Sequence, residues 1–220
     1  MYHSICEHIG KEKHNKWRVK PKDFEKQMKW FYDNKWNSFT ISELIKLDEI
    51  PKKSFVVTFD DGYEDNFINA FPILKKYNFK ATIYLVPNQS INHWEEKNTS
   101  VLSNLLNNEQ ILQMQNTGLI EFGSHTLSHV NLSTINDEQL LIELKKSKEE
   151  IEKITRKECE AFAYPYGKFD DKIIQAVEEI GYKNATVVKR GLFEKNDNPF
   201  IIKRIGILGT ESFVDFLLKV

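Results

Sequence analysis

The chain has 220 residues, 40% of them apolar and 29% charged, and its 31 Lys and Arg nearly cancel 32 Asp and Glu to leave a net charge of -1. That composition excludes a fibrous or wholly disordered chain, and the charge balance predicts no attraction to nucleic acid or to an anionic membrane. No apolar stretch approaches the roughly 20 residues of a membrane-spanning helix, and the start MYHSICEH lacks the basic flank and apolar core of a secretion signal, so a cytoplasmic protein is expected.

Short apolar runs alternate with longer amphipathic stretches along the chain. The expected strands are Tyr2–Cys6, Ser54–Phe59, Lys80–Val86, Leu119–Phe122, Glu160–Ala163, Lys183–Val188 and Phe200–Ile207. Several are β-branched or aromatic and continuously apolar, as strands covered on both faces should be. Between them, Asp23–Trp36 places Phe24, Met28 and Phe31 on one helical face, and Phe67–Tyr77 carries Phe71 and Leu74. Glu109–Thr117 and Asp171–Ile180 stop at Gly118 and Gly181, and Asp137–Thr155 repeats Leu140, Leu144 and Ile151. Ser212–Val220 is the last expected helix. Strands alternating with helices imply a mainly parallel α/β sheet, and the number of units favours an incomplete barrel within a single domain, residues 1–220. Cys6 and Cys159 have no CxxC spacing and read as free thiols.

In such folds chemistry sits on loops after the strands. Ser54–Phe59 runs straight into Asp60-Asp61-Gly62-Tyr63, which puts two acids at a strand mouth. Neighbouring side chains on an extended chain point in different directions, so one acid can bind a cation while the other faces the cation's open position. Alone, the segment reads better as a solvated turn, and the second motif is what shifts the balance. The run Leu119–Phe122 leads into Gly123-Ser124-His125-Thr126-Leu127-Ser128-His129. Histidines at i and i+4 share one face of a helical turn, and two imidazoles with one carboxylate make an open catalytic site, most suited to zinc. Asp61, His125 and His129 are the expected ligands. Phe162-Ala163-Tyr164-Pro165-Tyr166-Gly167 is a third strand-to-turn segment, whose backbone amides can donate to an oxyanion. If the site needs an imidazole acid, the remaining candidates are His3, His8, His14 and His93, of which only His3 lies in an expected strand.

TFDDGY (Thr58–Tyr63), SHTLSH (Ser124–His129) and AYPYG (Ala163–Gly167) resemble, in order and separation, the first three motifs of the polysaccharide deacetylase (NodB-homology) family, family 4 of the carbohydrate esterases. The resemblance implies a distorted, incomplete (β/α)7 barrel and a metal-dependent hydrolase that removes N-acetyl groups from an amino sugar or N-acetylated glycan. It assigns Asp60 as general base, Asp61, His125 and His129 as ligands of a divalent metal, and the Tyr166 backbone amide as an oxyanion donor. The cation implied is zinc, with nickel, cobalt or manganese as substitutes. The family's late Leu-x-His acid is absent. The chain resembles instead the circularly permuted branch with poly-N-acetylglucosamine deacetylases, where a histidine in an N-terminal Tyr-His segment is the acid, which points to His3. Ala163 stands where the family carries an arginine, and Arg204, in Lys203-Arg204-Ile205, is the candidate replacement for orienting Asp60.

The long polar stretch 87–107 is expected to cross the barrel mouth, where Trp94 either stacks on a sugar or shields the loop's own underside. The run Lys11, Lys13, Lys16, Arg18 and Lys20 reads as a solvated loop before it reads as an anion site. Tyr166 is a further candidate contact for substrate. Two competing readings remain at this level: an amidase on a small-molecule amide or cyclic imide, and a catalytically inactive carbohydrate-binding relative.

Overall fold

In the computed structural model, which describes residues 1–220, the elements are α1 (Pro21–Asp33), β1 (Asn37–Ser38), α2 (Ile41–Lys46), β2 (Ser54–Phe55), β3 (Val57–Phe59), α3 (Phe71–Tyr77), β4 (Ala81–Leu85), α4 (Asn108–Gln115), β5 (Ile120–Ser124), α5 (Asp137–Thr155), β6 (Ala161–Ala163), α6 (Asp171–Glu179), β7 (Asn184–Thr186) and α7 (Phe213–Leu217). Strands β3 to β7 form one parallel sheet in sequence order, and β1 pairs with β2 alone. Parallel neighbours need crossovers, and the helices between these strands supply them.

Alternation along each strand separates two cores. Phe59, Ala81, Ile83, Phe122 and Phe162 face outward and join the helices' Leu74, Ile111, Leu144 and Val177 in the larger apolar cluster. Tyr84, Ala161 and Ala163 face the other way and form a small interior cluster with Ile41 and Ile202. The helices are started by side-chain caps. Asn107 with Gln110, and Asn136 with Gln139, each form reciprocal capping boxes that satisfy amides the helix leaves unpaired. Gly118 and Gly181 take positive φ just past α4 and α6, as their expected stops require.

The sheet is curled, and its edges are continued by segments that pair at single points. Tyr2 bridges Phe59 on one side and Ile202 bridges Thr186 on the other. The Met1 nitrogen donates to the Ile205 carbonyl at 2.8 Å, and the Ile207 N–H donates to the Met1 carbonyl at 3.0 Å, so the two edges meet. The result is the distorted α/β barrel expected from sequence.

Two expected strands are corrected by this geometry. Tyr2–Cys6 changes partner within three residues, Tyr2 pairing with Phe59 and Ser4 with Arg18, so no ladder can run. Phe200–Ile207 likewise touches β7 at one bridge before turning to Met1. Ser54–Phe59 is one extended run but two strands, because its first half pairs with β1 and its second with β4. The first part of Phe67–Tyr77 winds as a π-turn (Asn66–Ala70) before α3 begins.

Helix α2 and β1 are absent from the sequence reading. Helix α2 plugs the barrel at the strands' N-terminal ends. Its Ile41 N–H donates to Thr82 Oγ1 at 2.9 Å, its Ser42 N–H to Glu121 Oε2 at 3.3 Å, and Asn184 Nδ2 donates to Ser42 Oγ at 3.1 Å.

Candidate metal centre and catalytic mouth

Strand β3 ends at Phe59, and the next two residues, in a bend and a left-handed turn, send their side chains to different places. Asp60 turns into the barrel and is buried. Arg204 reaches it from the last extended segment through a forked pair, Nη1 to Oδ1 at 2.6 Å and Nη2 to Oδ2 at 2.8 Å. The guanidinium is held in turn by the Val187 carbonyl, which accepts from Nε at 3.1 Å, and by Thr58 Oγ1 at 3.2 Å. Its carbon lies 5.6 Å from the Tyr84 ring centroid, a cation–π contact inside the barrel. Burial alone would raise the Asp60 carboxyl. The Arg204 charge, followed by His125 and His3, outweighs it and holds Asp60 below its ordinary value.

Asp61 takes φ +74 and turns to the mouth. Gly62 follows at φ +71, where a side chain would press within 2.8 Å of Leu85, so the tight turn after the two acids needs glycine. Asp61 Oδ1 lies 3.2 Å from His129 Nε2 and 3.5 Å from His125 Nε2. One ligand atom from each of these three buried residues falls within 4.8 Å of the others. Oδ1 of Asp61 is buried with no hydrogen-bond partner. A buried oxygen left unpaired between two imidazole nitrogens is costly, and a divalent cation bound by this N,N,O set removes the cost. The residues therefore fit the ion. Burial would raise the Asp61 carboxyl too, but His129, His3 and His125 hold it well below the ordinary carboxylate range.

The expected helical turn at SHTLSH is not formed. Thr126 has φ +67 and His129 φ +57, and the segment is an irregular loop. Both imidazoles still converge, because strand β5 delivers His125 and the backbone reversal returns His129 to it. Asp61, Thr126, His129 and Tyr166 (φ +58) are all left-handed non-glycine residues around one spot, the clustering of strain that functional sites show. His125 Nδ1–H donates to the Ala163 carbonyl at 2.7 Å, which leaves Nε2 unprotonated toward Asp61. Burial lowers the His125 imidazole to about 4, against the opposing pull of Asp60. Its ring is thus neutral and ready to ligate at neutral pH. His129 Nδ1 lies 3.2 Å from the Tyr166 hydroxyl, and the Trp94 indole stacks on its ring at 4.5 Å and 23°.

His3 sits on the segment beside β3, where the Asp60 N–H donates to the Tyr2 carbonyl at 3.1 Å. Its imidazole is half-buried against the Trp17 ring, 4.5 Å away, and desolvation holds its basicity below the ordinary imidazole value despite the opposing charges of Asp61 and Asp60. The other candidate imidazoles are engaged elsewhere: His8 Nε2 on the Arg18 carbonyl, His14 on Glu95 and His93 on Glu96. Stretch 87–107 does cross the mouth, and Trp94 spends one face on His129. Arg18, counted in the basic run, is buried and paired with Glu12 at 2.8 Å, so it is not part of a solvated face.

Sequence reading missed several supports. Tyr84 lies under Arg204, and Trp17 backs His3. Asp65 Oδ1 accepts from the Ile5 N–H at 2.8 Å and Asn66 Nδ2 donates to the His3 carbonyl at 2.9 Å, pinning the His3 segment to the loop after TFDDGY. Asp65 and Asn66 carry a faint signal, polar residues directly after a motif. Trp17 carries none.

Residues 48–185 match the polysaccharide deacetylase family profile. The YxkH protein of Bacillus subtilis (strain 168), which carries the same family designation, is 31% identical over 94% of this chain and 70% of its own. A poly-beta-1,6-N-acetyl-D-glucosamine N-deacetylase of Staphylococcus aureus (strain MRSA252) is 30% identical over 91% of this chain and 71% of its own. The crystal structure of BC0361, a polysaccharide deacetylase from Bacillus cereus, superposes with a TM-score of 0.83 at 32% identity, covering 99% of this chain and 66% of that one. The chain thus spans roughly two thirds of the length of these relatives. Profile, relatives and fold agree with the Asp-His-His mouth, and the chain belongs to the polysaccharide deacetylase family.

Proposed function

We propose that the protein is a zinc-dependent N-deacetylase that releases acetate from a glycan containing N-acetylglucosamine. The observation that carries this reading is the division of labour between Asp60 and Asp61. One is locked on an internal arginine, and the other carries an orphaned oxygen between two imidazoles. The Staphylococcus aureus relative, a poly-beta-1,6-N-acetyl-D-glucosamine N-deacetylase, supports the substrate class.

Asp61, His125 and His129 would hold the ion. When bound, it supplies Lewis-acid polarisation of the acetyl carbonyl and acidifies an attacking water. Asp60, ionised and oriented by Arg204, accepts the proton of that water. The Tyr166 N–H, on the left-handed turn at the mouth, donates to the oxygen that gains charge as the carbonyl is attacked. One such donor is worth on the order of 3 kcal/mol. His3 carries the proton that the departing amine nitrogen takes up. Burial makes it a weaker base than a free imidazole, so the proton it holds is readily given up, the charges of Asp61 and Asp60 offset part of that loss, and the Trp17 ring packs against it. Tyr166, half-exposed at the rim, and the free side of Trp94 are the surfaces offered to a sugar ring.

The test measures acetate released from N-acetylglucosamine oligomers, alongside zinc content. Wild type releases acetate and loses that activity to a chelator. Asp60→Asn keeps zinc and loses roughly a thousandfold or more in turnover, within the range for a removed general base. His3→Gln keeps zinc and loses about a hundredfold. Turnover by Asp60→Asn near the wild-type rate overturns the assignment.

A further inference from the structure

The two imidazoles of the metal site are held in different ways. His125 is fixed by a main-chain acceptor: Nδ1–H donates to the Ala163 carbonyl at 2.7 Å, inside the sheet. His129 lies on an irregular loop, has φ +57 and has no main-chain acceptor at Nδ1. What it has is aromatic. The Tyr166 ring meets it edge-on at 4.8 Å and 67°, with the hydroxyl 3.2 Å from Nδ1. The Trp94 indole lies almost flat on it at 4.5 Å and 23°.

We infer that Tyr166 and Trp94 are positioning residues for the metal ligand His129: the tyrosine hydroxyl accepts the Nδ1 proton, the indole fixes the ring plane, and together they keep Nε2 aimed at Asp61. This inference rests on the metal-site reading above and not on the substrate. An imidazole ligates through one nitrogen only when the other carries the proton, and an acceptor at that second nitrogen selects the tautomer. Tyr166 supplies the acceptor. Its own backbone is strained at φ +58, which is what carries the side chain back over His129. The stack fixes the remaining freedom, rotation of the ring about its bond to the backbone.

Trp94 is held in place from outside the site. Its neighbour Glu95 accepts from buried His14, with Nδ1 at 3.2 Å from Oε2, and from Asn98 Nδ2 at 2.9 Å. Farther along the loop, Glu12 accepts from Arg18 Nη1 at 2.8 Å, from Thr99 Oγ1 at 2.8 Å and from the Ser100 N–H at 2.9 Å. These bonds tie the mouth loop to the N-terminal loop and leave the indole little room to swing away. The ion's second imidazole is therefore positioned by side chains from two separate segments, one of them tethered by the N-terminal loop.

The experiment is a zinc titration of the purified chain against a chromophoric chelator, without any substrate, together with the unfolding midpoint of the metal-free protein. Tyr166→Phe keeps the ring and deletes only the hydroxyl. It is expected to weaken zinc binding about tenfold or more, the usual cost of losing a ligand's outer partner, with the metal-free midpoint unchanged. Trp94→Ala is expected to weaken zinc binding by a similar factor, and Trp94→Phe, which keeps a flat ring, to restore most of it. A residue that served only to contact sugar, or only to fill space, would not show that pattern. Zinc affinity unmoved in both Tyr166→Phe and Trp94→Ala overturns the inference while leaving the deacetylase reading intact. A wild-type chain that binds no zinc overturns both.

Discussion

The Asp60 side and the Asp61 side of the site begin one peptide bond apart and are built by opposite means. Asp60 belongs to the barrel interior. Its partner Arg204 is buried, each of its own oxygens has a guanidinium N–H, and the support continues through Val187, Thr58 and Tyr84. Asp61 belongs to the rim. Its Oδ1 is unpaired, its neighbours are imidazoles, and one of those is held by aromatic side chains on loops. A fixed charge that must keep one orientation is embedded in packed structure. A group that must exchange a ligand is left incomplete until that ligand arrives. The contrast shows which adjacent carboxylate can be a base and which a ligand more clearly than either environment does alone.

The most forceful way to break this contrast is to remove the interior cation. Arg204→Met leaves a buried carboxylate with no counter-charge, and the fold is expected to lose about 3–5 kcal/mol at neutral pH, read from denaturant unfolding. Adding Asp60→Asn removes the stranded charge, so the double variant should recover a large part of that loss while remaining without acetate release. An Arg204→Met protein as stable as wild type would mean that Asp60 is solvated, and the distinction between the two sides would fall.

A second prediction concerns the rim. The metal-free His125 ring should titrate near pH 4, read from its ring-proton resonances, because burial opposes its charge. The sign for stability follows from proton binding. Between the unfolded value of 6.5 and about 4, the unfolded chain takes up a proton that the folded chain refuses, so acidification favours unfolding. At the acid end of that window the shift amounts to about 3 kcal/mol from this group. Asp60 acts in the same direction at lower pH: its depressed value means that the unfolded chain takes up its proton first, so the stability present above the ordinary carboxylate range is lost as pH falls toward the folded value. A His125 resonance titrating at its ordinary value would show the rim to be open to water.

How much of this was legible in sequence depends on how local each feature is. Asp60, Asp61, His125 and His129 follow strands that announce themselves as apolar runs, so their convergence could be anticipated from two short segments. Arg204 is 144 residues from Asp60 and could be named only as a candidate cation in a late extended segment. No periodicity links the two. The edges of the barrel were read as full strands because Tyr2–Cys6 and Phe200–Ile207 are extended and apolar, and sequence does not show that each switches partner after one bridge. Helix α2 was missed because a six-residue plug is too short to show a period. The histidines were expected on a helical turn because i and i+4 spacing implies one, and the left-handed Thr126 and His129 reach the same convergence by another path. Tyr166 and Trp94 were visible as aromatic residues near the mouth. Their place against His129 depends on loop tethers that leave no local signature.

The smallest effect tests those tethers, and with them the claim that the rim is held from its surface. Thr99 accepts from Arg18 Nη2 at 2.8 Å and donates to Glu12 Oε2 at 2.8 Å. Thr99→Val keeps the shape and removes both bonds, along with the hydroxyl's local contacts to the Val101 carbonyl at 3.1 Å and the Val101 N–H at 3.3 Å, each bond with a net worth of about 1 kcal/mol. Arg18 and Glu12 remain paired directly at 2.8 Å, so the fold should be untouched. The mouth loop should open more often: amide exchange around residues 94–100 should rise about fivefold, and zinc affinity should fall by no more than that factor. Exchange at β3 and at the Arg204 segment should stay at the wild-type rate, since the interior shares no bond with the tether. Faster exchange at both places would mean that the two carboxylates are held by one cooperative unit. Unchanged exchange at both would mean that the loop is fixed by Trp94 packing and the Glu95–His14 pair without help from Thr99.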